Sequence, residues 1–188
     1  AYDASTGALR WRASTGRLNN DAAVASGRVF TSTWGSSPNL LFAHNTTDGT
    51  LAWSQPIDSS NSQYPAAAVG GRVFVGSDSG LLRAFNAVSG APLWEAHHSG
   101  YVSAPLVATT DAVVVVTGNR LISAYEARTG TLLWSVSPKG SDVVTSNLVL
   151  ANGVLFFAAQ DFAGTNRVSA LDASTGKQVA RLDESIVG

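Results

Sequence analysis

His97 and His98 are the one adjacent histidine pair in the chain, and paired imidazoles are a natural place to look for a metal or a proton carrier. On extended backbone, successive side chains point to opposite faces, so this pair does not close on a single ion. The pair reads as a solvated loop. Asp58, Asp142 and Asp161 carry oxygens that suit Ca²⁺, but no run of alternating carboxylates of the EF-hand kind surrounds them. The triplet "NTT" at 45–47 fits the N-glycosylation acceptor pattern, although Asn45 also fills a turn position. Cysteine is absent, so there is neither a disulfide staple nor a thiolate site. The glycines fall in hairpin contexts and not between a strand and a helix, so none builds a phosphate cradle. No nucleophile, base and orienting group come together. No catalytic residue and no metal site are expected.

The elements that carry these side chains are set by an internal repeat. Gly7, Gly49, Gly90, Gly130 and Gly176 follow one another at intervals of 42, 41, 40 and 46 residues. Six residues before each glycine stands an alanine: Ala1, Ala43, Ala84, Ala124 and Ala170. Four residues after it stands Trp11, Trp53, Trp94 or Trp134, with Ala180 in the fifth copy. His44 occupies a slot that holds Tyr, Phe or Leu in the other copies, and reads as a packed substitute. A second frame repeats upstream in "AAVASGRVF", "AAAVGGRVF", "LVATTDAVV" and "LVLANGVLF", with Gly27, Gly71, Asp111 and Gly153 as turn residues.

Runs such as "RVFVGS" and "AVVVVTG" are β-branched, too short for helices and bounded by turn residues, so they read as strands buried on both faces. Each unit is then a meander of strands A to D; in the third, A lies near 65–69, B at 72–77, C at 81–86 and D at 91–96. No segment shows a 3.6-residue apolar period. A lone four-stranded sheet cannot bury two apolar faces, and units of about 40 residues stack radially as propeller blades. The four tryptophans are expected to wedge adjacent blades, and the small alanine to leave room for a large neighbour. The fold expected is an all-β propeller of four-stranded antiparallel blades, here a partial ring of about four. The chain is one such domain, with a C–D hairpin at 1–14 and blades near 20–55, 64–97, 104–137 and 146–183. A closed four-bladed ring would leave one C–D hairpin without a place, and the chain opens in mid-motif, so it reads as an arc of something longer.

The pattern in "AYDASTGALRW" and "AYEARTGTLLW", preceded by "GGRVFVGS", resembles the blade repeat of the pyrroloquinoline-quinone (PQQ)-type β-propellers over almost the whole chain. The resemblance implies the fold, not one activity. That family includes quinoprotein alcohol dehydrogenases, which hold the quinone with Ca²⁺ in a central funnel. It also includes non-enzymatic outer-membrane assembly lipoproteins and sensor propellers outside the cell. The dehydrogenases commonly carry a vicinal cysteine pair and long inserts, and neither is present in this sequence.

Loop lengths indicate where binding would lie. The A–B and C–D turns keep fixed spacing, whereas the distance from the A–B turn to the next alanine is 16, 13, 13 or 17 residues. From Trp to the next A strand it is 10, 12, 11 or 13 residues. The variable B–C and D–A loops share one end of every blade, and variable loops on a rigid ring are where ligands usually bind. The rim candidates are Trp34, Tyr64, Asp78, Tyr101, Asp161 and Phe162. The loop aromatics suit stacking on a ring or sugar, or packing over a blade edge. At 188 residues with net charge −1, the chain gives no reason to expect nucleic acid, and no apolar run is long enough for a membrane-spanning helix. The function expected is a non-catalytic binding scaffold outside the cytoplasm. A protein or small molecule would sit on the rim, with no cofactor, and the remaining blades would come from the parent chain or another copy. The alternatives are part of a dehydrogenase dependent on PQQ and calcium, and a carbohydrate-binding propeller.

Overall fold

The computed structural model describes residues 1–15, 21–33, 35–58, 65–118, 120–138 and 142–183. Among these there is no helix. The second blade is β1 (Ala23–Ala25), β2 (Arg28–Ser32), β3 (Asn39–Asn45) and β4 (Leu51–Asp58). The third is β5 (Ala67–Val69), β6 (Arg72–Gly76), β7 (Leu81–Asn86) and β8 (Pro92–His97). The fourth is β9 (Val107–Ala108), β10 (Ala112–Thr117), β11 (Leu121–Glu126) and β12 (Leu132–Val136). Each is an antiparallel sheet in sequence order. The first blade is represented by the hairpin in which Tyr2 bridges Leu9. The chain is thus an arc of a β-propeller.

The fifth blade departs from the four-strand reading. Its innermost strand is split into β13 (Val143–Val144) and β14 (Val149–Ala151), both paired with β15 (Val154–Gln160), followed by β16 (Asn166–Asp172) and β17 (Gln178–Asp183). The sheet therefore has five strands. Across the break the Thr145 N–H still donates to the Ala158 carbonyl, and Ser146 Oγ accepts the Ala158 N–H at 2.8 Å. A hydroxyl replaces one rung of the ladder at the break between the two short strands.

The Ala–Trp frame has a direct packing cause. Ala43 lies across from both Phe30 and Trp53, and Ala84 from both Phe74 and Trp94. Because the central residue is only a methyl group, the flanking rings meet over it at 5.8 Å in both blades. Each indole then crosses to the next blade. The Nε1–H groups of Trp11, Trp53, Trp94 and Trp134 donate to the carbonyls of Thr46, Ala87, Ala127 and Ala173. The rings lie on Gly49, Gly90, Gly130 and Gly176, where a Cβ would stand 2.4–2.6 Å from the nearest indole carbon. These glycines also hold φ of +69° to +75°, in the left-handed region. One residue type thus meets two demands: the hairpin's backbone and the neighbour's ring.

Three apolar cores lie between successive blades, built around Phe30 and Val73, Phe74 and Val113, and Val114 and Leu155. The turn side is tied as well. The N–H groups of Thr46, Ala87, Ala127 and Ala173 donate to Gly27, Gly71, Asp111 and Gly153, joining the C–D and A–B turns of each blade. Within the hairpins, Asp3, Asn86 and Asp172 accept two turn amides each through Oδ1. Asn45 does otherwise: its Nδ2 donates to Thr50 Oγ1, and Asp48 accepts the Thr50 N–H. The turn-capping role read for Asn45 therefore passes to Asp48.

Candidate functional site

With the A–B and C–D turns joined at one end, the B–C and D–A loops meet at the other, and they are stitched into a row. The B–C loop of the third blade binds the following D–A loop, with the His98 N–H on the Gly80 carbonyl at 2.8 Å. That same D–A loop reaches the fourth blade, where the Gly118 N–H donates to the Tyr101 carbonyl at 2.7 Å. The B–C turn of the fourth blade then meets that of the fifth through Arg120, whose guanidinium lies 4.7 Å from the centre of the Phe162 ring. Three blades thus present one continuous rim.

Of the six rim residues named from sequence, Trp34 and Tyr64 lie outside the described residues. Asp161 and Phe162 lie on the B–C loop of the fifth blade, whereas Tyr101 lies on the D–A loop before the fourth, against Gly118. Tyr101 is 56% exposed, and its ring covers Gly118, where a Cβ would stand 2.3 Å from it. Phe162 is 78% exposed. Asp161 holds its loop rigid, accepting the N–H groups of Ala163 and Thr165 at 2.9 Å through Oδ1 and pairing with Arg167 at 2.7 Å through Oδ2. The Thr165 amide first, and Arg167 second, hold its carboxyl below the usual range. Asp78 sits apart, beside Asp58 at the boundary of blades two and three. Burial, and then the charge of Asp58, push its carboxyl up. There Ser79 donates to Asp58, and Arg83 bridges Glu95 at 2.7 Å and the Ile57 carbonyl.

Three arginines at this end of the blades were not singled out from the sequence. Arg120 adopts φ of +65°, rare for a residue with a Cβ. Its signal is a Gly-Asn turn followed by an off-frame arginine. Arg167 on β16 and Arg181 on β17 flank the buried Asp142 of the D–A loop at 3.4 and 3.8 Å, and Arg167 also reaches Asp161 of the B–C loop at 2.7 Å. They alternate with apolar residues along strands, so nothing in their spacing marks them. His44 is packed as read, and His97 is exposed, but the reading of the pair as a solvated loop fails at His98, whose ring nitrogens are both buried; burial lowers the imidazoles of His44 and His98.

The described residues do not fit a quinone–calcium site. Asp142 and Asp161, the best oxygen donors on this rim, are ion-paired to arginines whose charge repels a cation. Among the described residues no three His, Asp or Glu side chains gather around one point. What the rim does offer is two exposed rings and a guanidinium on loops whose backbone is fixed.

The chain is similar to known proteins in sequence and fold. A family model described as outer membrane protein assembly factor BamB matches residues 1–68 and 39–184. BamB of Shewanella oneidensis is 38% identical over 63 residues, which is 34% of this chain and 16% of that protein. The crystal structure of BamB from Moraxella catarrhalis superposes with a TM-score of 0.69 at 17% identity, over 94% of this chain and 65% of that one. A europium-containing methanol dehydrogenase superposes with a TM-score of 0.73 at 16% identity, over 93% of this chain and 43% of that one. The chain therefore spans less than two thirds of each protein that it matches.

Proposed function

The chain belongs to the family of the outer membrane protein assembly factor BamB, and from that premise we propose that it is a non-catalytic scaffold propeller. It acts outside the cytoplasm and binds a protein on the rim of B–C and D–A loops. The observation that carries this reading is the division of labour between the two ends of the blades. The turn end is used up by indole docking and turn-to-turn hydrogen bonds. The loop end holds Tyr101 and Phe162 exposed on a pinned backbone.

We propose that the arc is completed by further blades, from the parent chain or from another copy. Phe156, Val168 and Leu182 on the outer face of the fifth blade are 39%, 39% and 66% exposed. At the same repeat positions Phe74 and Leu82 are fully buried under the next blade. An oily face of this kind is built to be covered.

The decisive test is reconstitution with PQQ and Ca²⁺, followed by alcohol-dependent dye reduction. No turnover above the free quinone is expected; sustained turnover would move the chain to the dehydrogenases. Fractionation of source cells should place the protein in the envelope fraction, and a cytoplasmic pool would contradict the location.

A further inference from the structure

We propose that β12 is a docking edge, and that its partner is a second copy of this chain, paired β12 against β12 and antiparallel about Val136. The proposal is independent of the reading of the rim and concerns a different surface, the outer perimeter of the fourth blade.

The outer strand of a blade ends its sheet with backbone groups that no neighbour takes, and such edges are ordinarily guarded by charge or proline. Here the first hairpin carries Arg10 and Arg12, β4 carries Pro56, β8 carries Pro92 and Glu95, and β17 carries Arg181. β12 carries neither, and it closes a sheet in which it pairs with β11. The cleft beside it is equally bare of charge. It holds about 330 Å³ between blades four and five, against Ile122, Val136, Pro138, Phe157 and Leu171. The cleft beside β8 contains Arg83 and Glu95 instead.

The ladder fixes which groups of the edge are open. The Glu126 N–H donates to the Thr131 carbonyl, so alternate residues of β11, from 126 back to 122, bond toward β12. Their partners in register, Trp134 and Val136, are thereby used. The N–H and C=O groups of Ser135, and of Ser137 one residue past the strand, point outward, and both serines are exposed. The strand's other end is interrupted by the bulge at Ala124 and Tyr125, so regular pairing begins at Trp134.

The open stretch is self-complementary. Trp134-Ser135-Val136-Ser137-Pro138 shows the same order of apolar and small polar residues from either end. Set against its twin about Val136, it places Ser135 opposite Ser137, where the two exchange both backbone bonds, and the two-fold axis repeats the exchange. Pro138 falls opposite Trp134, at a position that needs no outward donor. Val136, which packs on the core toward the fifth blade, meets its twin on that face, and serine meets serine on the other. A slip of one residue would set serine against valine and turn the open donors away from each other. A foreign strand would meet the same open bonds. The palindrome, and a net charge of only −1 per copy, fit a twin.

The test is sedimentation equilibrium of the 188-residue chain from about 1 to about 200 μM, the range suited to so small an interface. A monomer–dimer equilibrium is expected. Ser137→Pro removes an outward donor and should weaken it at least about tenfold, whereas Ser137→Thr keeps the donor and should stay within about twofold. Val168→Lys, on the outer face of the fifth blade, should also stay within about twofold. The chain has no cysteine, so a single one reports the register. Val136→Cys places two thiols on a non-hydrogen-bonded pair with Cα atoms about 4.5 Å apart, within disulfide reach. Mild oxidation should cross-link it into a dimer, and Leu133→Cys should give none. Circular dichroism matching the parent would show that each variant is folded. A chain that stays monomeric at the top of the range, a dimer indifferent to Ser137→Pro, or one lost on Val168→Lys would overturn the pairing. Cross-linking through Leu133→Cys in preference to Val136→Cys would overturn the register.

Discussion

Gly90 and Gly71 lie in the same blade, both with φ of +74°, and they separate the two demands made of the repeat glycine. A Cβ on Gly71 meets nothing within 4 Å, whereas one on Gly90 stands 2.6 Å from the Trp53 ring. Gly71→Ala is therefore charged only for the left-handed backbone, about 1–2 kcal/mol. Gly90→Ala carries the same term and must also push the indole off its seat. That loses the Nε1–H bond to the Ala87 carbonyl, worth about 1 kcal/mol. It also opens part of a half-buried ring's contact with the next blade, about a further 1–2 kcal/mol. The expected difference between the two variants is about 2–3 kcal/mol. With a urea m-value of about 2 kcal/mol/M, the Gly90 midpoint falls about 1–1.5 M below that of Gly71. Equilibrium urea unfolding by tryptophan fluorescence and circular dichroism measures it. In a Trp53→Ala background the excess should vanish, because the displaced group is gone. Equal losses for the two alanines, or an excess that survives without Trp53, would refute interblade docking as the reason for the glycine.

Trp94→Phe keeps a ring over Gly130 but removes the donor to Ala127, so it should cost about 1 kcal/mol in urea unfolding, against about 3 kcal/mol for Trp94→Ala. Burial lowers the folded-state imidazole of His98 below its ordinary 6.5, so the unfolded chain binds the extra proton. Stability should be complete above about pH 6.5 and fall as pH drops through that value, and His98→Gln should flatten part of the fall in a series of melts from pH 7.5 to 5. Arg167→Met removes the ion pairs with the buried Asp142 at 3.4 Å and with Asp161 at 2.7 Å. About 2–3 kcal/mol should be lost, with faster amide exchange at Ala163 and Thr165, and unchanged exchange there would disprove the role of the Arg167 ion pairs in holding the loop.

The blade fold was readable from the chain because a repeat multiplies a weak signal. A single "GxxxW" says little, but five glycines and four tryptophans in one frame state that the same contact is made again and again. Strand limits followed from β-branched runs and turn residues: the third blade's C strand, read at 81–86, is β7 at Leu81–Asn86. The split inner strand of the fifth blade was not readable, since it depends on a serine hydroxyl taking a backbone rung. The rim was legible as a set of loops. Tyr101 and Phe162 stood out as off-frame aromatics, whereas the contact of Arg120 with Phe162 exists only because a neighbouring blade places the ring beside it.

What the sequence alone determined is what repeats: the strands, the hairpins, the interblade indoles and which ends of the blades are free to vary. Those are short-range matters, decided by side-chain size, β-branching and backbone freedom within about 40 residues. What only the tertiary structure decided is which loops of different blades touch. Tyr101, Gly118, Arg120 and Phe162 belong to two loops and a turn that meet because the blades are rotated about an axis. The rotation is set by the apolar cores between sheets, and no local pattern encodes an angle that arises from the fit of two surfaces far apart in the chain.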